Sequence, residues 1–185
     1  MINLFDKNVV KILSLFSISP GSRINRKTIQ EKTGMNNIIL DKTLSQLVNF
    51  KFLGKDKSFF SLNYKNESTK KIIDLLYENY NKLKQLPLKE YFMILDIKEE
   101  FSKIKNINDV YLFGSYSKLV FKKNSDIDFA IISNEINKKE VNKAILKLEK
   151  RFNKKIEAHF FTKEFYNNKR DPLVKEILKD GVKLI

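Results

Sequence analysis

The sequence predicts an α+β chain of mixed type: a small helical part first, then a mixed sheet flanked by helices. Three observations carry this reading. Before residue 50, apolar residues recur three times at helical spacing, and a short alternating stretch around a basic turn follows. From Val110 onward, strand-like apolar runs alternate with helical stretches. The chain has 185 residues, 42% of them apolar and fifteen of them Phe, enough to bury a core in one large domain or two small ones.

The elements follow in order. Residues 6–17 form an amphipathic helix through Val9, Val10, Ile12, Leu13 and Phe16, ended by Pro20 and Gly21. Asn25 caps a second short helix, RKTIQEKT, which stops at Gly34. Asn36 or Asn37 caps a third, IILDKTLSQLVNFKF, with Ile39, Leu40, Leu44, Leu47 and Val48 on one stripe. LGKDKSFFSLNY then reads as a hairpin turning at Lys55, Asp56 and Lys57. A connecting helix spans residues 67–86, and Pro87 marks a boundary. Next come a helix from Leu88, a polar turn over 105–109, and the strand VYLF running into Gly114-Ser115. DIDFAII is a second strand and KIEAHFFT a third, with a helix over 138–152 between them. A last helix from Asp171 to Lys179 and a short apolar end, VKLI, close the chain. The expected domains are 1–65, a connector over 66–86, and 87–185.

Charge narrows the function classes. The net charge is +14. Residues 1–65 carry 11 basic and 4 acidic side chains, a net of +7, and residues 87–185 carry 21 and 15, a net of +6. Such an excess suits a polyanion, and it also suits a Lys-rich surface that only keeps the protein dissolved. There is no Cys, so disulfides and thiolate metal sites are excluded. Asp6, Lys7 and Lys11 interrupt the N-terminal apolar residues, and no apolar run approaches the ~20 residues that span a bilayer. A soluble cytoplasmic protein with no membrane partner is the expectation.

Three features carry chemistry. Gly114-Ser115 follows a strand directly, where a glycine permits a sharp turn and close approach to phosphate oxygens. Asp126 and Asp128 sit two apart on a strand and so share a face, with Ile127, Phe129 and Ile131 on the other. Two such carboxylates repel unless a cation lies between them, and hard divalent ions favour oxygen ligands. Glu157 lies in KIEAHFFT on the face opposite Ile156, Ala158 and Phe160, and completes a set of three carboxylates if the two strands are neighbours. His159 shares that face; a packed, half-exposed histidine is the plainer reading. Tyr116 stacks on a base or packs in its loop.

Together, LFGSYSKLVFKKNSDIDFAII and KIEAHFF resemble the signature of the DNA polymerase beta nucleotidyltransferases: an apolar strand, Gly-Ser, about ten residues, Asp-x-Asp, then a third acidic residue. The likeness covers residues 108–161 and points to the minimal nucleotidyltransferase group. Residues 5–65, with SQLVNFKFLGKDKSFFSLN as helix end and wing, resemble a winged helix-turn-helix. The first resemblance implies Mg²⁺-dependent transfer of a nucleoside monophosphate, AMP from ATP, to a hydroxyl. Asp126, Asp128 and Glu157 would be catalytic and hold two Mg²⁺ ions, and Gly114, Ser115 and Lys118 would bind the nucleotide. Antitoxins of that group modify a helical HEPN-type protein, which implies such a partner as one acceptor, with a small molecule or an RNA end as the alternatives. Ser117-Lys118-Leu119 departs from the group's Ala-Arg-Gly-like loop, so Lys118 offers a point charge without an Arg fork. The loop also lacks a second glycine. The second resemblance implies either a protein-docking module or duplex DNA as a partner, the DNA contacted by Asn37, Lys42, Thr43 and Gln46 from the third helix and by Lys55 and Lys57 from the wing. The alternative function is a DNA-binding regulator whose transferase domain senses nucleotide without transferring it.

Overall fold

The computed structural model describes residues 6–83, 86–135 and 137–185. The chain divides into two compact units, residues 1–92 and 93–185. Among the described residues, no helix is long and apolar enough to cross a membrane.

The first unit starts with α1 (Lys7–Ile18), whose N-terminus Asp6 caps by accepting from the Asn8 and Val9 amides. Ile12, Leu13 and Phe16 of α1 are fully buried, and α1 packs on its neighbours in this unit. β1 (Ile24–Asn25) precedes α2 (Arg26–Thr33), which Asn25 caps and Gly34 ends at a φ of 65°. α3 (Asn37–Asn49) is capped by Asn36. It stops three residues earlier than the sequence suggested: Phe50 closes the last turn, Lys51 takes a φ of 59°, and Phe52 and Leu53 enter the core. β2 (Leu53–Asp56) and β3 (Phe59–Leu62) form the expected hairpin, with Lys57 at its tip at a φ of 52°. β1 adds to the other edge of β3, a pairing of two residues too short to be read from alternation. α4 (Glu67–Lys82) buries Ile73, Leu76 and Tyr80 and packs along α1, while Leu75 stays exposed. The last part of the helix expected over 67–86 includes residues 84 and 85, which lie outside the described set.

In the second unit, residues from 93 onward of α5 (Leu88–Ser102) lead into the sheet. β4 (Asp109–Phe113) runs into a single-turn helix, α6 (Gly114–Ser117). β5 (Ile127–Ile132), α7 (Lys138–Phe152) and β6 (Ile156–Phe161) follow, and then a 3₁₀ turn at Lys163–Tyr166. α8 (Pro172–Asp180), capped by Asp171, and β7 (Val182–Lys183) complete the unit. The sheet order is β6-β5-β4-β7. β5 pairs antiparallel with β4 and parallel with β6, and β7 pairs antiparallel with β4.

Both faces of the sheet are covered, as strands apolar on both sides require. On one face, Phe129 meets Phe101 of α5 edge-on at 5.4 Å between centroids. α7 is tied to α5 by Arg151–Asp96 and Lys147–Glu100, each at 2.9 Å. On the other face, Phe113, Ala130 and Ile132 pack with Phe165, Val174 and Ile177 from the 3₁₀ turn and α8. Asp128 lies on this second face, two residues before Ala130 on the same strand.

Candidate active site

The antiparallel β4–β5 pair sets Phe113 opposite Asp128, and the parallel β5–β6 pair sets Asp128 opposite Glu157. The end of β4, the start of β5 and the start of β6 therefore meet at one end of the sheet. Gly114 takes a φ of 68°, a left-handed conformation that disfavours any side chain. A Cβ there would also collide with the Asp128 carboxylate and lie 3.1 Å from its Cγ. Glycine is thus required twice over, by the turn and by the approach to Asp128.

Asp128, Glu157 and His159 each offer a ligand atom, and these atoms lie within 4.8 Å of one another. All three side chains are half-buried. Residues 157 and 159 share a face because strand side chains alternate, and the His159 ring meets Phe113 edge-on at 5.3 Å. Desolvation raises the Asp128 pKa above the ordinary carboxylate value; repulsion from Glu157 and Asp126 adds to it and His159 opposes it. Two carboxylate oxygens and an imidazole held this closely suit a divalent cation. The carboxylates fit Mg²⁺ or Mn²⁺, and the imidazole favours the softer transition ions.

Asp126 stands outside this trio. Its Oδ2 accepts from the Lys155 ammonium at 3.0 Å, and the same ammonium makes a short contact with Glu157 Oε1. These two bonds raise the Lys155 pKa, with Glu157 the larger cause. The reading of the three carboxylates as one set therefore needs a correction of geometry: Asp128 and Glu157 converge with His159, and Asp126 joins them through a lysine. The strand period carries the signal for both additions, since residues 155, 157 and 159 fall on one side.

The loop after Gly114 is pinned to the site. The Val120 amide donates to the Ser115 carbonyl at 3.0 Å, and the Lys122 amide donates to Ser125 Oγ at 2.8 Å, just before Asp126. Leu119 takes a φ of 60°, the conformation that a second glycine would have eased. Ser115 is half-buried. Lys118, expected beside a triphosphate, directs its ammonium to Glu176 of α8 at 2.6 Å, with Asp180 at 3.9 Å. Its pKa is raised chiefly by the Glu176 hydrogen bond. Tyr116 is buried and stacks on Phe121 at 4.3 Å, so it packs the loop from inside.

In the first unit, a groove of about 750 Å³ lies between the start of α2, one side of α3 and the hairpin. Arg26, Lys27, Lys55 and Lys57 line it together with Asp41. Arg26 clamps Asp41 through two bonds of 2.6 and 2.9 Å, and its guanidinium also donates to Asn37 at 2.9 Å. Lys42, Lys55 and Lys57 are exposed and Gln46 is half-buried. Thr43, expected to face outward, is corrected: it is 5% exposed, and its hydroxyl donates to the Ile39 carbonyl at 2.8 Å. The helix turns Thr43 inward beside Leu40, Leu44 and Leu47, while Ile39 of the expected apolar stripe stays exposed.

Residues 96–185 match the family described as Polymerase beta, Nucleotidyltransferase. No curated protein matches the chain. Among solved structures, one similar chain belongs to a toxin-antitoxin with AMP-PNP, at 20% identity and a TM-score of 0.38; the match covers 50% of this chain and 70% of that one. Another belongs to the tri-AMPylated HEPN toxin of Shewanella oneidensis in complex with MNT antitoxin, at 19% identity and a TM-score of 0.32, covering 50% of this chain and 71% of that one. The family match falls within the second unit, on residues 96–185, and supports a transferase enzyme.

Proposed function

We propose that this nucleotidyltransferase moves a nucleoside monophosphate, AMP from ATP, onto a hydroxyl of an acceptor, with Asp126, Asp128 and Glu157 as the catalytic set. One observation carries the proposal. The strand register sets Asp128 against Glu157 at the sheet end where Gly114 opens a space that no other residue would leave. Gly114 and Ser115 would hold phosphate oxygens through backbone amides and the hydroxyl. Glu157, half-exposed, would accept the proton of the attacking hydroxyl as it closes in line on the α-phosphorus, with pyrophosphate as the leaving group. Asp128, Glu157 and His159 would hold a divalent ion, whose chemistry would be to neutralise charge on the triphosphate. Lys118 would reach a phosphate only by leaving Glu176.

The acceptor we favour is a protein hydroxyl, as on a HEPN-type partner. One of the similar chains comes from a complex whose toxin is AMPylated, which motivates that choice of first substrate to try. Purified chain, Mg²⁺ and α-labelled ATP, with candidate acceptors added singly, test it. Label transfer that disappears in Asp126→Ala and Asp128→Ala supports the proposal. Unchanged Mg·ATP affinity of both variants by calorimetry would remove these residues from the site.

A second reading concerns the first unit: a winged helix that binds duplex DNA, in the extreme case as a regulator whose transferase unit only senses nucleotide. The observation that favours it is the groove with Arg26, Lys27, Lys55 and Lys57 around it, next to α3 and a three-stranded sheet of order β1-β3-β2. Lys55 and Lys57 would take backbone phosphates, and Lys42, Gln46 and Asn37 would face bases. A gel-shift series across salt concentrations with the full chain tests it, and absence of any shift at low salt would leave a protein partner as the reading for this unit.

A further inference from the structure

We propose that the free edge of β6 takes an extended segment of the acceptor polypeptide as an added strand, and that this pairing brings the segment's hydroxyl to Glu157. The inference rests on the transferase reading above and names how its protein acceptor is held.

The backbone decides which groups of β6 are free. The Lys155 carbonyl, just before β6, accepts from the Ile127 amide at 3.0 Å, and the Phe161 carbonyl accepts from the Ser133 amide at 2.9 Å. Backbone groups of a strand alternate sides, so residues 155, 157, 159 and 161 turn theirs to β5. Those of residues 156, 158 and 160 point the other way. The Ile156 amide does so: it leaves the sheet to meet Glu149 Oε1 of α7 at 2.8 Å. β6 ends the sheet, and among the described residues no loop or side chain bonds the amides or carbonyls of Ala158 and Phe160.

Edges of this kind are usually protected by short length, lysine, proline or a bulge. β7, at the opposite edge, pairs over only two residues. β6 runs in unbroken register with β5 over six residues, and none of them is lysine, arginine or proline.

An unprotected edge beside the acidic cluster suits one kind of partner. Free donors and acceptors recur every second residue, about 6.8 Å apart, a repeat that an extended polypeptide matches and a nucleotide chain does not. A residue of the added strand opposite Glu157 puts its side chain on the face of Glu157, with Cβ atoms about 5 Å apart. A serine, threonine or tyrosine there gives its proton to Glu157. Its oxygen bonds to the α-phosphorus, and the bond from that phosphorus to pyrophosphate breaks. The neighbouring residues of the segment turn to the other face, where Ala158 is small and the Phe160 ring is apolar.

A soluble peptide of alternating tyrosine and threonine carries a hydroxyl on either face, so it tests the edge in any register. Binding of a fluorescent copy to the full chain, read by anisotropy, is measured apart from label transfer out of α-labelled ATP. The wild type should bind the peptide and label it, and both should be lost when every backbone nitrogen of the peptide is methylated. Ala158→Pro removes an outward N–H and no bond to β5, so the peptide's Kd and KM should rise about threefold to tenfold while kcat and Mg·ATP affinity hold. Ala158→Val keeps the N–H and should bind like the wild type. No binding of the peptide, or equal binding of the methylated one, would overturn the docking edge and leave the transferase reading standing. Binding without transfer, in a chain that holds Mg·ATP, would overturn the delivery of a hydroxyl to Glu157. A chain that neither holds Mg·ATP nor transfers label loses the transferase reading, and this inference with it. A wild-type dimer that Ala158→Pro dissolves and the peptide does not would make the occupant a second copy of this chain, and overturn the acceptor.

Discussion

The two units carry similar positive charge but spend their polar groups differently. On the outer side of the first unit, charges answer one another. Arg26 grips Asp41, Arg23 bonds Asp56 at 2.5 Å, and Asn37 accepts from both Arg26 and Gln30. The Asp41 pKa falls, Arg26 being the first cause. At the sheet end of the second unit, like charges are held together. Asp128 and Glu157 face each other across a strand pair, and the Asp128 pKa rises. Carboxylates held in register against their own repulsion cluster at functional sites, which is why strained electrostatics mark such sites better than satisfied pairs do. The comparison explains why net charge said little about function here, while one strand register said much.

The sharpest way to break that contrast is at Gly114. Gly114→Ala should abolish transfer and destabilise the chain by about 2 kcal/mol or more, from a left-handed φ and a collision with Asp128. The cause can be isolated. Adding Asp128→Ala removes the colliding carboxylate, so the double variant should be more stable than the sum of the two single effects predicts. Strictly additive effects in urea denaturation would show that the two residues do not press on each other.

A smaller effect, of opposite sign, is expected at Asp128. Its folded pKa lies above the ordinary aspartate value of about 3.9, so the folded state binds more protons than the unfolded one just above that pH. Stability should therefore fall as pH rises from about 4 through the folded pKa, and the full cost should be present at neutrality. Asp128→Asn should raise the melting temperature at pH 7 in the absence of metal, and the gain should fade below about pH 4. Mn²⁺ should then stabilise the wild type and not the variant. A variant that melts lower at pH 7 would show that Asp128 is held by partners and not repelled.

How much of this was legible in the sequence depended on periodicity. The strand positions of Asp128 and Glu157, the capped helices at Asn25 and Asn36, and α7 over 138–152 all follow from local rules, and the structure has them, whereas Asp126 falls one residue before β5. β1 and β7 pair over two residues each, too few to alternate visibly. Lys155 and His159 were on the right face by the same period-two rule, yet each is a common surface residue type, and only the register of β6 against β5 gives them meaning. Thr43 misled because its hydroxyl looks outward-facing in a helical wheel, whereas a threonine can turn inward by bonding the carbonyl four residues back.

The loop beside the site allows a milder test. Leu119 holds a φ of 60° where a glycine would be at ease. Leu119→Gly should stabilise the chain by about 0.5–1 kcal/mol, the left-handed penalty less the extra freedom that glycine has when unfolded. Since the Val120 amide ties this loop to Ser115, nucleotide affinity should also change, and calorimetry with Mg·ATP reads it. A destabilised variant would mean that the half-exposed Leu119 side chain packs more than its backbone strains.

The smallest effects belong to the first unit, and they separate residues that were grouped together. If duplex DNA binds there, each phosphate contact releases counterions, and losing a contact lowers the slope of log affinity against log salt by about 0.9. Lys55 and Lys57 are exposed on the hairpin, so replacing both with Ala should reduce that slope by roughly 2. Thr43→Val should leave both slope and sequence preference unchanged, because its hydroxyl is spent on Ile39 inside the unit. Its cost should appear instead as a stability change of about 1 kcal/mol or less, since one hydrogen bond to a helix carbonyl is lost and an apolar methyl takes its place. Fluorescence anisotropy of a labelled duplex across a salt series measures both. An unchanged slope in the double lysine variant, with binding retained, would move the phosphate contacts off the hairpin and onto other cations of this unit, Arg26 and Lys27 of the groove first.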